Sequence, residues 1–362
     1  MARDRIGGAR LAATVFVSAL TLAACSNGSS SGASASGSAG SGSAAGGGKV
    51  LVGLITKTQD NPFYVKMTEG AKKKAATLGY DLQTFAGTGQ SDSAAQVSAI
   101  ENLTSAGAKA ILVTPTADDI VPAINKAKAK GVLVLALDSP TNPTSAVDGT
   151  FATDNFKAGE LVGQWAKATF AAQGKQAKIA TLDLSVAQVK VDVDRNQGFL
   201  KGFGVELGDP AKMWDEKDPR LVGHEVTDAN EAGGRAGMEK LLQRDRSINL
   251  VYTINEPTAA GAYQAIKAVG LDKQITIVSV DGGCPGVTNV KNGVIAATSM
   301  QFPLGMAEQA LDAVAAYLAS GAKPKNSDGL DFTNTGVTLI TDQTASGVES
   351  KDSAWGLQNC WG

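Results

Sequence analysis

The chain has 362 residues, 43% hydrophobic and 19% charged, a balance that forms packed cores and excludes a disordered or fibrous protein. The formal net charge is −2, from 33 basic and 35 acidic residues, so there is no basic surplus to neutralise phosphates and nucleic acid is excluded as a partner. A single histidine and three cysteines without a Cys-x-x-Cys pair provide no metal-binding cluster, and no cofactor is expected.

Taken in chain order, Arg3, Arg5 and Arg10 precede an apolar run over 11–24 that ends in Leu22-Ala23-Ala24-Cys25. Residues 1–24 therefore read as a secretory signal, too short an apolar run for a bilayer about 30 Å thick. A cysteine directly after Leu-Ala-Ala resembles the bacterial lipoprotein box, which makes Cys25 the expected lipidation site and the membrane a partner through that anchor; an ordinary signal peptide with a chance cysteine is the alternative. Residues 25–48 are almost all Ser, Gly and Ala, a composition that cannot offset its own ordering entropy and reads as a flexible tether. Without 1–24 the chain keeps 30 basic and 34 acidic residues, a net charge of −4. An exported chain meets an oxidising milieu, so Cys284 and Cys360 either pair as one disulfide or remain two buried thiols.

From Lys49 onward, short apolar runs alternate with amphipathic stretches about four turns long. Strands are predicted over 50–55, 80–85, 110–113, 132–137 and 147–152, with helices over 62–78, 93–106, 119–130 and 158–172. A second series places strands over 178–182, 223–226, 249–254, 275–280 and 296–299, with helices over 194–203, 230–244, 258–268 and 304–320. Near-continuous apolar strands separated by helices imply parallel strands covered on both faces. Two such series predict an α/β protein of two doubly wound parallel-sheet lobes joined by a hinge.

Ligands of open parallel sheets sit beyond the carboxyl ends of the strands, where strand ends and helix N-termini present free polar groups. The residues at those ends are Lys57 and Asn61-Pro62-Phe63-Tyr64, Thr114-Pro115, Asp138, Asp183, Asn255-Glu256-Pro257, Asp281-Gly282-Gly283 and Gln301-Phe302-Pro303. Each alone reads equally as a cap or turn, and their recurrence at one topological position in both series points to a ligand.

From Lys49 to about residue 340 the chain resembles the type I periplasmic sugar-binding family, the ribose- and fructose-binding proteins. The resemblance rests on Asn61-Pro62-Phe63-Tyr64, Pro115-Thr116, Leu137-Asp138, Thr153-Asp154-Asn155, Arg195-Asn196-Gln197-Gly198-Phe199, Thr253-Ile254-Asn255-Glu256, Val280-Asp281-Gly282 and Gln301-Phe302-Pro303, in that order. It implies a sugar cleft lined by Asn61, Phe63, Tyr64, Asp138, Arg195, Asn255, Asp281 and Gln301; Lys57, Thr114 and Asn155 are added as candidates beside them. It also implies a first lobe of 49–153 with about 302–328 and a second of 154–301 with about 329–362, the lobes closing on a monosaccharide that is passed to the membrane subunits of an ABC permease. Phe63 and Tyr64 suit the C–H faces of a sugar ring, while the acids, amides and Arg195 suit its hydroxyls.

Three departures from the ribose type bear on the sugar. Ser139 follows Asp138 where that type has an arginine, no aromatic ring stands near Ala229, and Lys57 replaces a small hydroxyl. Ile55-Thr56-Lys57-Thr58 and Val280-Asp281-Gly282-Gly283-Cys284-Pro285 look closer to the fructose-binding branch, so fructose or a similar hexose is expected, with ribose, xylose, inositol and other polyols as alternatives. An enzyme would need a base, nucleophile or metal set, and His224 stands without a partner; Gly87-Thr88-Gly89 does not complete a dinucleotide fingerprint. A transcription regulator of this fold would carry a helix-turn-helix before Lys49, where the export signal and tether lie. Presentation of the bound sugar to a chemotaxis or two-component sensor is the remaining alternative to a permease.

Overall fold

The computed structural model describes residues 48–362. The signal over 1–24, the lipid site at Cys25 and the tether as far as residue 47 lie outside the described residues.

The first sheet is built from β1 (Leu51–Thr56), β2 (Asp81–Ala86), β3 (Ala110–Val113), β4 (Leu133–Leu137) and β5 (Gly149–Ala152), in the spatial order β2-β1-β3-β4-β5 and all parallel. Aliphatic side chains on adjacent positions of a strand point to opposite faces, so this sheet has two buried sides. Leu54, Leu112 and Leu135 pack with Met67 of α1 (Pro62–Leu78) and with Met306 and Leu311 of α9 (Pro303–Ser320). Ile55, Ile111 and Val134 pack with Ile100 and Leu103 of α2 (Ser93–Ser105) and Ile124 of α3 (Val121–Ala129).

The second sheet repeats the plan. β6 (Ile179–Asp183), β7 (Leu221–Val226), β8 (Leu250–Thr253), β9 (Thr276–Asp281) and β10 (Ala297–Met300) run parallel in the order β7-β6-β8-β9-β10. One face carries α4 (Asn155–Ala172) and α5 (Lys190–Phe203), with Trp165, Phe199 and Tyr252 buried between them and the sheet. The other face carries α6 (Glu231–Arg244) and α7 (Glu256–Ala268). Both sheets therefore have the same doubly wound order, with a reversal point beside the first strand of each.

The chain passes between the sheets three times: from Ala152 to Asn155, from Met300 to Pro303, and from β11 (Thr333–Asn334) to β12 (Thr338–Ile340). β11 adds a short parallel edge to β5, and β12 pairs antiparallel with β10. The last passage thus falls between Asn334 and Thr338, later than the expected boundary at 328/329, because two residues of edge pairing carry no hydrophobic run to betray them. α8 (Cys284–Lys291) and α10 (Ser353–Asn359), which periodicity did not reveal, lie beyond β9 and beyond β12, and Cys284 and Cys360 form a disulfide with Cα atoms 5.0 Å apart.

Local chemistry places the helix starts. Asn61 Oδ1 accepts from the N–H of Phe63 and Pro62 fills the first turn of α1. Asp154 caps α4 through the N–H of Lys157, which starts that helix at Asn155, three residues before the apolar pattern begins.

Candidate functional site

The carboxyl ends of both sheets face one chamber. Its lining includes nine of the eleven expected residues: Lys57, Asn61, Phe63, Tyr64 and Asp138 from the first sheet's side, and Arg195, Asn255, Asp281 and Gln301 from the second. Five further residues complete it: Gln90, Leu184, Val191, Ala229 and Ile254. Leu184, Ala229 and Ile254 were not among the expected residues, although each follows a strand end by one to three residues and the strand-end rule could have found them; Gln90, in a Gly/Thr-rich loop, and Val191, an aliphatic like those of the core, gave no signal.

Thr114 and Asn155 are not in the lining. The Thr114 carbonyl accepts from Gln96 Nε2 at 2.8 Å, which holds the residue one layer behind the chamber. Asn155 stands behind Arg195, with its Oδ1 accepting from Arg195 Nε at 2.8 Å. Asp183, at the end of β6, is turned away as well: it accepts from Thr181, Asn196 and Trp214. His224 is exposed on the edge strand β7, stacked on the Trp214 ring at 4.5 Å between centroids.

Each side of the chamber carries one cation and one carboxylate. On the first, Lys57 Nζ donates to Ser139 Oγ at 2.9 Å and to Asp138 Oδ2 at 3.4 Å. Burial lowers the Lys57 pKa, with the Asp138 charge opposing. On the second, Arg195 is held by Asn155 and by the Ile254 carbonyl at 3.1 Å, with its Nη1 3.9 Å from Asp281 Oδ1. Asp281 accepts from Gln301 Nε2 at 3.1 Å; burial pushes its carboxyl up to about 7 while Arg195 pulls it back. The oxygen of that amide, Gln301 Oε1, is buried without a partner among the described residues. Both carboxylates leave their strands through backbone with positive φ, 65° at Asp138 and 147° at Asp281, a local cost that clusters at binding sites.

Behind Asp281 lies Glu256, expected at a strand end and within the family motif but not among the site residues. Its carboxylate accepts from the N–H groups of Gly282 and Gly283 and from Thr298 Oγ1, all within 2.9 Å, so it fixes the turn that carries Asp281. Burial and then the Asp281 charge push Glu256 up to about 8. On the opposite wall Phe63 and Tyr64 meet edge to face at 5.3 Å, and each is about 5% exposed. Burial, with Asp138 next, holds the Tyr64 phenol well above its usual pKa, so it stays a neutral donor.

Two doubly wound lobes closed on a chamber of paired charges, amides and one aromatic wall define a bilobal receptor for a small, neutral, hydroxyl-rich solute. A family profile described as a periplasmic binding protein domain matches residues 52–323, and the chain belongs to this family, as a type I sugar-binding protein of ABC transporters. It is similar to the ribose import binding protein RbsB of Haemophilus influenzae, 32% identical over 255 residues that cover 70% of this chain and 80% of the relative. It is 27% identical to the D-apiose import binding protein of Actinobacillus succinogenes, over 76% of this chain and 84% of that one. A solved ABC transporter solute-binding protein of the same organism, with bound D-allose, shares the fold at a TM-score of 0.70 and 22% identity, over 81% of this chain and 98% of that one. Membership makes the chain an exported, monosaccharide-binding component of an ABC transporter and not an enzyme.

Proposed function

We propose that this chain captures fructose, or a similar hexose or pentose, between its two lobes and hands it to the permease from a lipid anchor on Cys25. The observation that carries the reading is the meeting of two cations, two carboxylates and four amides, drawn from both lobes, around one chamber. A sugar that must satisfy groups on both sides favours closure, because only the closed form completes its hydrogen bonds. In this reading Asp138, Asp281 and Arg195 grip hydroxyls through charge-assisted bonds and Phe63 covers a C–H face.

The choice of sugar rests on Lys57. The ribose type carries its cation directly after the aspartate; here that position is Ser139, and the cation reaches it from the end of β1, 2.9 Å away. The positive charge is kept and its donor geometry changes from a planar fork to a single ammonium, which favours a different set of hydroxyls. Relatives named for ribose and D-apiose keep five-carbon sugars among the candidates.

Calorimetry against fructose, ribose, apiose, allose and arabinose, with small-angle scattering on the same samples, tests this. The expected result is tight binding of one ketose or furanose and a smaller radius of gyration when it is bound; binding of none of the panel would remove the proposal.

A further inference from the structure

Trp361 lies outside the chamber lining and outside the matched family segment, yet it touches three of the elements that build the site. Its ring packs edge to face on Phe63, 5.5 Å between centroids, and belongs to the apolar cluster of the first lobe. Its indole Nε1 donates to the Gln301 carbonyl at 2.9 Å. Its own carbonyl accepts from the N–H of Cys284 at 2.8 Å, and its backbone bridges to Gly283, within the turn that follows Asp281. Trp361 as a whole is 6% exposed.

The backbone of this residue is thus tied to the second lobe while its side chain is inserted in the first. The disulfide between Cys360 and Cys284 makes that tie covalent, immediately before Trp361 and immediately after Gly283. Gln301 lies on the second passage between the lobes, so the indole sits where the two halves of the chamber are held in register.

We propose that Trp361 is a positioning residue of the sugar site: clamped to the second lobe by the Cys284–Cys360 disulfide, its ring backs Phe63 and sets Phe63, Gln301 and the Asp281 turn relative to one another. The inference rests on the sugar-binding reading above. An edge-to-face neighbour restricts the tilt of Phe63, and a bonded carbonyl fixes the backbone from which the Gln301 amide reaches Asp281. Loss of the indole leaves every sugar-facing side chain in the protein and blurs their spacing.

The test is calorimetric titration of four variants with the sugar that the wild type binds best, with a thermal melt of each. Trp361→Ala should raise Kd tenfold or more. Trp361→Phe, which keeps a ring behind Phe63, should return Kd to within threefold of wild type. The C284S/C360S double variant should lose threefold or more, as should wild type after reduction. Val314→Ala, a cavity in the first-lobe core away from the chamber, should lower the melting temperature and leave Kd within twofold. Equal affinity of Trp361→Ala and wild type would overturn the inference, as would an equal loss in Val314→Ala. If Trp361→Ala does not fold, the double variant decides: weaker binding by the folded double variant supports the clamp, and unchanged Kd refutes it. A wild type that binds no sugar in the panel removes the sugar reading itself and the inference with it, whereas a wild type that binds separates the two.

Discussion

Gly159→Ala puts the placement of Arg195 under a direct strain. Helices α4 and α5 cross with their backbones in contact: a Cβ built on Gly159 would stand 2.0 Å from the Arg195 carbonyl oxygen, where ordinary contact begins at 3.4 Å. The reciprocal positions are as tight, with Gly198 facing the Phe156 carbonyl at 2.1 Å and Gly163 the Phe199 carbonyl at 2.2 Å. The added methyl must push the helices apart by about 1.4 Å, and a backbone carbonyl, unlike a side chain, has no rotamer into which to retreat. Overpacking of this kind costs about 1–3 kcal/mol. Alanine regains about 1 kcal/mol of helix propensity over glycine, so at the upper end of that range the net loss is about 2 kcal/mol. At roughly 2–4 °C per kcal/mol, the melting temperature falls by about 4–8 °C. The same shift moves Arg195 by about 1 Å relative to the Ile254 carbonyl, enough to break a 3.1 Å hydrogen bond and weaken sugar binding by about tenfold. Differential scanning calorimetry and titration with the sugar measure the two effects. Gly305→Ala in α9, whose Cβ would meet nothing closer than 3.7 Å, is the control and should be neutral or slightly stabilising. A Gly159→Ala melt within 1 °C of wild type, or a lower melt with unchanged affinity, would refute the reasoning.

Lys57→Met deletes the first-lobe cation and leaves Asp138 and Ser139 without their donor; a hydrogen bond to a charged group is worth about 1.5–3 kcal/mol, so Kd should rise at least about tenfold, and a change under twofold would remove Lys57 from recognition. Stability should fall as pH rises from 5 to 8. Burial raises Glu256 and Asp192 to about 8 and Asp281 to about 7, so the folded state holds protons there that the unfolded chain has released; that contribution is complete below about pH 4 and is lost as pH climbs through 7 and 8. Asp92, Asp209, Asp218 and Asp245, whose pKa values are lowered by hydrogen bonds, act only at more acid pH and leave this window clear. Thermal melts at pH 5 and pH 8 should differ by at least about 1 kcal/mol, the worth of roughly one pKa unit, and Glu256→Gln should flatten the profile; a melt that rises across the window would contradict it. Cys25→Ser in the native host should release the protein from the membrane fraction into the soluble one, and continued membrane retention would argue against the lipid anchor.

The sheets were legible because parallel strands covered on both sides are aliphatic throughout: Ala110–Val113 is predicted and found without a change of boundary. Helix starts drifted where something other than the apolar pattern sets the first turn: the polar cap Asp154 starts α4 ahead of the predicted 158, and α5 begins after Val189, with no side-chain cap, ahead of the predicted 194. Edge strands of two or three residues and the short helices α8 and α10 were invisible, since their pairing partners lie far along the chain. Nine chamber residues followed from strand ends and the family resemblance together. Which way a strand-end side chain turns did not follow: Asp138 and Asp281 face the chamber, whereas Asp183 has the same position and chemistry and is drawn inward by Thr181, Asn196 and Trp214. The second layer of contacts, Glu256 beneath Asp281 and Asn155 beneath Arg195, depends on three-dimensional neighbours that no spacing rule encodes.

The edge pairing of β11 has a consequence for biogenesis. The first sheet gains its outer strand only when Thr333–Asn334 has been made, and α9, which covers one of its faces, comes only after all the parallel strands of the second sheet. Nascent chain carrying the first five strands lacks that cover and leaves Leu54, Leu112 and Leu135 short of their partners Met306 and Leu311. Such a precursor cannot complete the first lobe's core until α9 and β11 have been made, so a partly synthesised chain is a looser body than the finished protein.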